Sequence, residues 1–206
     1  MIKRLLLVHG LSAPKWLLRP MARFFIKQGF EVKIIHYPSR GRALETMSEH
    51  IWQSISPLLS QQWHVVTHSL GGVLMQHILA KHQPKQILSL IMISPPNHGT
   101  ELYSFFSRYF PLMIRLIGGS NIPLHIQDQP YAENISKEYP CHLILGETRW
   151  TISGHLIPKP NDGIISHESM RIKGLQSEQI VYREHLLLIF SKKTYQAILS
   201  ILNKMS

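Results

Sequence analysis

Short runs of apolar residues alternate along this chain with longer stretches in which apolar residues recur at helical spacing. Strands that are covered on both faces are apolar throughout, so this alternation predicts a parallel sheet between two layers of helices. The predicted strands cover residues 5–8, 31–36, 65–67, 87–93, 142–145 and 179–182. The predicted helices cover residues 16–28, 44–59, 73–80 and 187–202.

The pattern predicts one α/β domain, a mostly parallel sheet of about six strands flanked by helices. A length of 206 residues fits a single domain. Residues 102–119 break the alternation, because they are rich in aromatic residues and lie between two core strands. We therefore expect a small cap insertion at roughly 99–138, and irregular structure at 121–140.

The chain is strongly basic, with a formal net charge of +10 and 22 Lys and Arg against 12 Asp and Glu. The positive charges are scattered and match no nucleic-acid motif, so no nucleic-acid partner is expected. A basic soluble surface is the favoured interpretation, and contact with an anionic membrane surface is the alternative. Cys141, the single cysteine, excludes an internal disulfide and lies in an apolar run, where we expect it to be buried.

The first eight residues resemble the start of a signal peptide. Their apolar part ends at His9-Gly10, and no small-residue cleavage site follows. No run of about 18 apolar residues is present, so no transmembrane helix is predicted. We therefore expect a cytoplasmic, soluble protein.

The strongest local signal is Thr67-His68-Ser69-Leu70-Gly71-Gly72, which lies between a predicted strand and a predicted helix. A tight strand-to-helix turn of this kind, a nucleophile elbow, exposes a serine hydroxyl at the edge of a sheet. The turn leaves little space two positions either side of the serine, where glycine is usual. Gly71 fits this pattern, whereas Thr67 departs from it and makes the turn more crowded.

Val8-His9-Gly10-Leu11 ends the first predicted strand. A loop at this place supplies one amide of an oxyanion hole, and the residue after the nucleophile supplies the other. The expected donors are the backbone N–H groups of Leu11 and Leu70. His9 itself is expected to be a structural side chain under the loop.

The chain has 13 histidines, so position must select the base. His185 lies between the last predicted strand and the last predicted helix, which is the place of a catalytic histidine in the chain order Ser, acid, His. For the acid, Asp162 lies in a Pro- and Gly-rich loop after the predicted strand at 142–145. Glu147, at the end of that strand, is the alternative, and Glu168 is a weaker one.

No histidine pair shows zinc-site spacing beside a carboxylate, and no Gly-rich phosphate loop is present. The sequence therefore predicts neither a metal nor a cofactor.

Taken together, these motifs resemble the bacterial lipase- and esterase-like α/β-hydrolases, in order and almost from end to end. The resemblance is carried by six segments: Val8-His9-Gly10-Leu11, Tyr37-Pro38-Ser39-Arg40, Thr67 to Gly72, Ser94 to Leu102, Asn161-Asp162-Gly163-Ile164-Ile165, and His185-Leu186-Leu187-Leu188. It implies the α/β-hydrolase fold and hydrolysis of a carboxylic ester, from a small molecule or a lipid, by Ser69, His185 and Asp162.

The alternatives are acyl transfer or thioester cleavage by the same residues, or a non-catalytic membrane-surface protein on this fold. The aromatic segment at 102–119 suggests an apolar acyl site or a lid that touches a membrane. Ordinary packing within the cap explains the same residues equally well.

Overall fold

The computed structural model describes residues 3–11, 13–39, 42–100, 134–148, 151 and 153–205. Most of the predicted cap at 99–138, including the whole aromatic segment at 102–119, lies outside these residues. The cap insertion therefore stays a prediction.

Six parallel strands form one sheet in the order β2-β1-β3-β4-β5-β6, which confirms the sheet predicted from the sequence. The strands are β1 (Arg4–Val8), β2 (Glu31–Ile35), β3 (Trp63–His68), β4 (Ile87–Ile93), β5 (Cys141–Gly146) and β6 (Ser177–Val181).

Helices occupy the connections between the strands. They are α1 (Arg19–Lys27), α2 (Leu44–Ile55), α3 (Leu70–His82), α4 (Ile135–Glu138), α5 (His167–Met170) and α6 (Lys192–Lys204). Short 3₁₀ helices cover Lys15–Leu18, Ser56–Leu58, Ser153–His155 and His185–Phe190.

The sheet is buried on both faces because successive side chains of a strand point to opposite sides. Along β1, Leu5 and Leu7 pack in the core shared with α1 and α6, whereas Leu6 and Val8 pack in the core shared with α2 and α3. All four side chains are at most 1% exposed. The apolar run at residues 5–8 of β1 is therefore explained by the two covered faces of the strand.

The chain reverses its direction across the sheet at β1, since β2 lies on one side of β1 and β3 on the other. Right-handed crossovers then place α1 on the face opposite to α2 and α3, as the two cores show. The carboxyl ends of β1 and β3 consequently flank a topological switch point, the place where open α/β sheets bind ligands.

Several element boundaries differ from the sequence-based expectation. The helix predicted at 44–59 ends at Ile55, two residues before Pro57, because proline cannot continue the hydrogen-bond ladder. The helix predicted at 187–202 is two elements, divided at Ser191, whose side chain caps α6 by accepting from the amide of Thr194. The region 121–140, expected to be irregular, contains α4 in its described part.

Cys141 is fully buried in β5, as predicted, and burial raises the pKa of its thiol to about 12. Within the described part of the chain, every helix is too short or too polar to cross a bilayer.

We expect Phe25→Ala to lower the free energy of unfolding by about 3–5 kcal/mol, because Phe25 is fully buried between α1 and the sheet. The neighbouring Ile26 is 55% exposed, so Ile26→Ala should change the free energy of unfolding by less than about 0.5 kcal/mol. Urea unfolding of both variants measures the two values. Equal losses would contradict the assignment of the buried face of α1.

Candidate active site

Ser69 occupies the turn between β3 and α3, with φ 52° and ψ −128°. Positive φ is rare for a residue with a side chain and persists only where the surrounding structure holds it. Here the Ser69 amide donates to the Ile93 carbonyl, and the Ser69 carbonyl accepts from the Gly72 amide, both at 2.9 Å. This strained turn at the carboxyl end of the sheet has the geometry of a nucleophile elbow.

Glycines let the end of β1 pack directly against this turn. A Cβ on Gly71 would lie 2.6 Å from the His9 carbonyl oxygen and 2.9 Å from that of Val8. A Cβ on Gly10 would lie 3.0 Å from the Ser69 Cβ. At position 71 only glycine permits this approach between backbones without a shift of the main chain, whereas a side chain at position 10 would be tightly packed against Ser69.

Thr67 stands where glycine is usual in such a turn. Its side chain is 1% exposed, and among the described residues its hydroxyl has no hydrogen-bond partner. A Cβ on Gly72 would approach that hydroxyl to 3.2 Å. Because position 72 is a glycine, there is space for the hydroxyl of Thr67 beside the first turn of α3.

Asp162 and His185 form a buried pair at the same end of the sheet. The Nδ1 atom of His185 lies 2.6 Å from Oδ2 of Asp162, and the backbone repeats the contact, since the His185 amide donates to the Asp162 carbonyl at 2.9 Å. Asp162 is fully buried and His185 is 4% exposed. The two bonds together fix both the position and the orientation of the imidazole ring.

The second carboxylate oxygen of Asp162 is held by its own loop. It accepts from the amides of Ile164 at 3.0 Å and Ile165 at 2.8 Å. Burial raises the pKa of the Asp162 carboxyl, but the charge and hydrogen bond of His185 together with the two amides outweigh burial and lower it overall. Asp162 is therefore a carboxylate that can stabilise a positive charge on His185.

Asn161 fixes the shape of this acid loop. Its Nδ2 donates to the carbonyls of Gly154 and Pro158, both at 3.0 Å, and its Oδ1 accepts from the Gly163 amide at 2.9 Å. Gly163 adopts φ 94°, a conformation that favours glycine.

Glu147, the alternative acid, directly follows the last residue of β5. Its amide donates to the Val181 carbonyl at 3.0 Å, and its side chain makes no hydrogen bond to His185 or to any other described residue. The geometry thus favours Asp162 over Glu147 as the partner of the imidazole.

His68 is a member of this site that the sequence analysis did not single out. Its Nε2 lies 3.1 Å from the His185 carbonyl oxygen, so this nitrogen carries the proton and donates it, and the two rings are 4.8 Å apart. Burial, followed by the charge of His185, lowers the pKa of His68 to about 3. His68 therefore stays neutral near neutral pH, and the one available signal was its place directly before Ser69.

The predicted oxyanion donors belong to Leu70, directly after Ser69, and to Leu11, which follows Gly10 at the end of β1 that packs against this turn. Among the described backbone groups, those of Leu11 and Leu70 donate to no carbonyl, which leaves them available to a ligand. The loop before Leu11 is held by Tyr37, whose hydroxyl donates to the His9 carbonyl at 2.8 Å and whose ring stacks on His9 at 4.4 Å. His9 is thus a packed side chain under the loop.

The structure therefore brings Ser69, His185, Asp162 and the two amides to one end of the sheet. Among the hydrogen bonds of the described residues, none joins the Ser69 hydroxyl to His185; such bonds are often long before a substrate is bound. The roles assigned to these residues stay predictions. Over the same described ranges, no three His, Cys, Asp or Glu side chains group closely enough to hold a metal ion.

A family model described as "alpha/beta hydrolase fold" matches residues 3–186. A comparison with curated proteins gives no match.

Three solved structures share the fold at low sequence identity. The mature lipase BlEst2 of Bacillus licheniformis is 15% identical with a TM-score of 0.80, covering 98% of this chain and 92% of its own. A carboxylesterase structure from the thaumarchaeon Nitrososphaera gargenis is 12% identical with a TM-score of 0.74, covering 99% and 91%. A bacterial membrane phospholipase A is 19% identical with a TM-score of 0.67, covering 99% and 79%.

Thr67→Val should raise the free energy of unfolding by about 1 kcal/mol, because it removes a buried hydroxyl without a partner and keeps the shape of the side chain. Thr100→Val is the matched control. The Thr100 hydroxyl donates to the Ile164 carbonyl at 2.9 Å, so its removal should lower the free energy of unfolding by about 1 kcal/mol. Urea unfolding tests the opposite signs, and a loss in both variants would contradict the unpaired state of Thr67.

Asp162 should contribute to the acid sensitivity of the fold. Its pKa is lower in the folded chain than in the unfolded chain, so its contribution to stability is present above the unfolded pKa of about 3.9 and is lost as pH falls through the folded value. In Asp162→Asn, the free energy of unfolding should therefore fall less between about pH 7 and about pH 3 than in the wild type.

Glu147→Gln removes a carboxylate that makes no side-chain hydrogen bond among the described residues, and it serves as the control. An acid sensitivity changed by Glu147→Gln but not by Asp162→Asn would reverse the assignment of the paired carboxylate.

Proposed function

The chain belongs to the alpha/beta hydrolase fold family, and from that premise we propose that it hydrolyses carboxylic esters with Ser69, His185 and Asp162 as a catalytic triad. The observation that carries the proposal is the buried contact of 2.6 Å between His185 Nδ1 and Asp162 Oδ2, at the sheet end where Ser69 stands in a strained turn. Serine nucleophile, imidazole base and orienting carboxylate are the three parts that such chemistry requires.

The carboxylate sets the tautomer of the imidazole. Because Nδ1 of His185 donates to Asp162, the lone pair of Nε2 is free to take a proton. In the proposed first step Nε2 takes the proton of the Ser69 hydroxyl while Oγ attacks the ester carbonyl carbon. The imidazolium that forms is stabilised by the ionised Asp162.

The attack turns the carbonyl oxygen into an oxyanion, for which the amides of Leu11 and Leu70 are the proposed donors. Leu70 is the first residue of α3, so its amide also contributes the positive end of that helix. Donors of this kind act because they are already aimed where charge develops, and losing one typically costs about 10²–10³ in rate.

Collapse of the tetrahedral intermediate expels the alcohol, to which His185 returns the proton, and leaves an acyl group on Ser69. In the second half, His185 takes a proton from water while the water oxygen attacks the acyl carbon. The bond between that carbon and Ser69 Oγ then breaks, His185 returns the proton to Oγ, and the acid is released.

The structural neighbours, named as a lipase, a carboxylesterase and a phospholipase A, support an ester substrate from a small molecule or a lipid. At such low identity the structural likeness supports the fold alone, and the preferred acyl chain has to be found by experiment.

Ser69→Ala should abolish labelling by a fluorophosphonate probe and lower kcat/KM for a soluble short-chain ester by about 10⁴–10⁶-fold, since the nucleophile is removed.

Asp162→Asn should lower kcat by about 10⁴-fold, because asparagine stabilises the wrong tautomer of the imidazole. Glu147→Gln should keep kcat within about twofold of the wild type, because among the described residues the imidazole of His185 is hydrogen-bonded to Asp162 and not to Glu147.

Undiminished ester turnover by Ser69→Ala would end the proposal. A larger loss in Glu147→Gln than in Asp162→Asn would keep an activated serine but move the acid to Glu147.

A further inference from the structure

The 3₁₀ helix His185–Phe190 has one buried side and one exposed side. Leu188 and Ile189 point into the core beside α1 and α6. Three large apolar side chains of the same helix are exposed: Leu186 at 59%, Leu187 at 48% and Phe190 at 43%. Residues three apart eclipse in a 3₁₀ helix, so Leu187 and Phe190 align along one side of it.

Exposed positive charges flank these apolar side chains. Arg183 precedes the helix, Lys192 and Lys193 follow it, and the only acidic residue of the segment, Glu184, is half-buried. We call the exposed side chains of Arg183, Leu186, Leu187, Phe190, Lys192 and Lys193 the 183–193 ridge.

The two lysines of the ridge occupy an unfavourable place for stability. Lys192 and Lys193 form the first turn of α6, which contains no acidic residue. The dipole of a helix disfavours positive charge at this end. The first turn of α6 therefore offers these two cations no acidic side chain of its own.

We propose that the 183–193 ridge docks on an anionic lipid surface. The apolar side chains match the boundary between headgroups and acyl chains, and the three cations match the negative charge of the headgroups. The net charge of +10 adds a longer-range attraction to the same surface. This interaction is separate from the proposed hydrolysis and does not depend on it.

The ridge lies at the end of the sheet that carries the candidate active site, because its helix begins at His185. Trp16, which is 57% exposed, lies at this end too, on the short helix between β1 and α1. Docking through the ridge would hold this end of the sheet, with Ser69 and His185, against the lipid.

The test is sedimentation of the full chain with vesicles of phosphatidylcholine alone or of phosphatidylcholine and phosphatidylglycerol in equal parts. All proteins carry Ser69→Ala, so that no lipid is hydrolysed. The parent protein should bind the mixed vesicles, bind phosphatidylcholine alone much more weakly, and lose binding as salt is raised. Lys192→Gln/Lys193→Gln should weaken binding to mixed vesicles by about 20-fold, and Leu187→Ser/Phe190→Ser by about tenfold.

Matched controls come from the opposite end of the sheet. Lys85→Gln/Lys204→Gln removes two exposed lysines that lie before β4 and at the end of α6, and Ile26→Ser removes an exposed apolar side chain. These variants should bind mixed vesicles within about twofold of the parent, because the charge and apolar area of the ridge are kept. Circular dichroism checks that every variant is folded.

Absence of binding to mixed vesicles, or equal weakening by ridge and control variants, would overturn the proposal. Size-exclusion chromatography with light scattering measures the oligomeric state of the ridge variants. A changed oligomeric state would overturn the proposal and show that the ridge binds a second copy of the chain. Hydrolysis of a soluble short-chain ester by the chain with Ser69 intact is measured without vesicles. Its absence would count against the proposed function and leave the docking result standing.

Discussion

The arrangement of the site depends on one close approach between backbones, where the first turn of α3 meets the end of β1. With glycine at position 71, the carbonyl oxygens of Val8 and His9 lie where a side chain would begin. This contact brings the loop after β1 beside Ser69, since a Cβ on Gly10 would lie 3.0 Å from the Ser69 Cβ. Packing thus joins the end of β1 and the turn at Ser69, two segments that are distant in the sequence, and these segments carry the proposed nucleophile and the two proposed oxyanion donors.

The pair of Asp162 and His185 depends on a second constraint, the exit of the chain from β5 and β6. Asp162 follows β5 and His185 follows β6, and these parallel strands end on the same side of the sheet, so the loops after the two strands meet there. The side chain and the backbone of Asp162 both bond to His185, and His68, at the end of β3, donates to the His185 carbonyl. The imidazole is thus held by Asp162 and the main chain that carries it is held by His68, which is the kind of support that a precise site needs.

The sequence predicts the sheet, the turn at Ser69 and the loop of Asp162 because each has a local signature: an apolar run, small residues beside a serine, an Asn-Asp-Gly sequence. Where tertiary packing decides, local signatures fail. α3 begins at Leu70 although Gly71 and Gly72 disfavour a helix. The lack of a side chain at Gly71 is what the contact with the end of β1 requires, and at Gly72 it leaves space for Pro95 and Thr67. Likewise, the spacing along the chain leaves Glu147 open beside Asp162 as the acid, because the contact with His185 depends on where a folded loop points.

The acid loop also bears on how this chain can change over evolution. The side chain of Asn161 forms hydrogen bonds with carbonyls and an amide of the same loop. The shape of the loop therefore depends more on these internal bonds than on the helices around it. Substitutions that shift those helices by small amounts leave the carboxylate in place, whereas an insertion or deletion between Gly154 and Gly163 breaks several bonds together. We therefore expect natural variants of this protein to drift freely in their helical layers and to keep the length of this one loop constant.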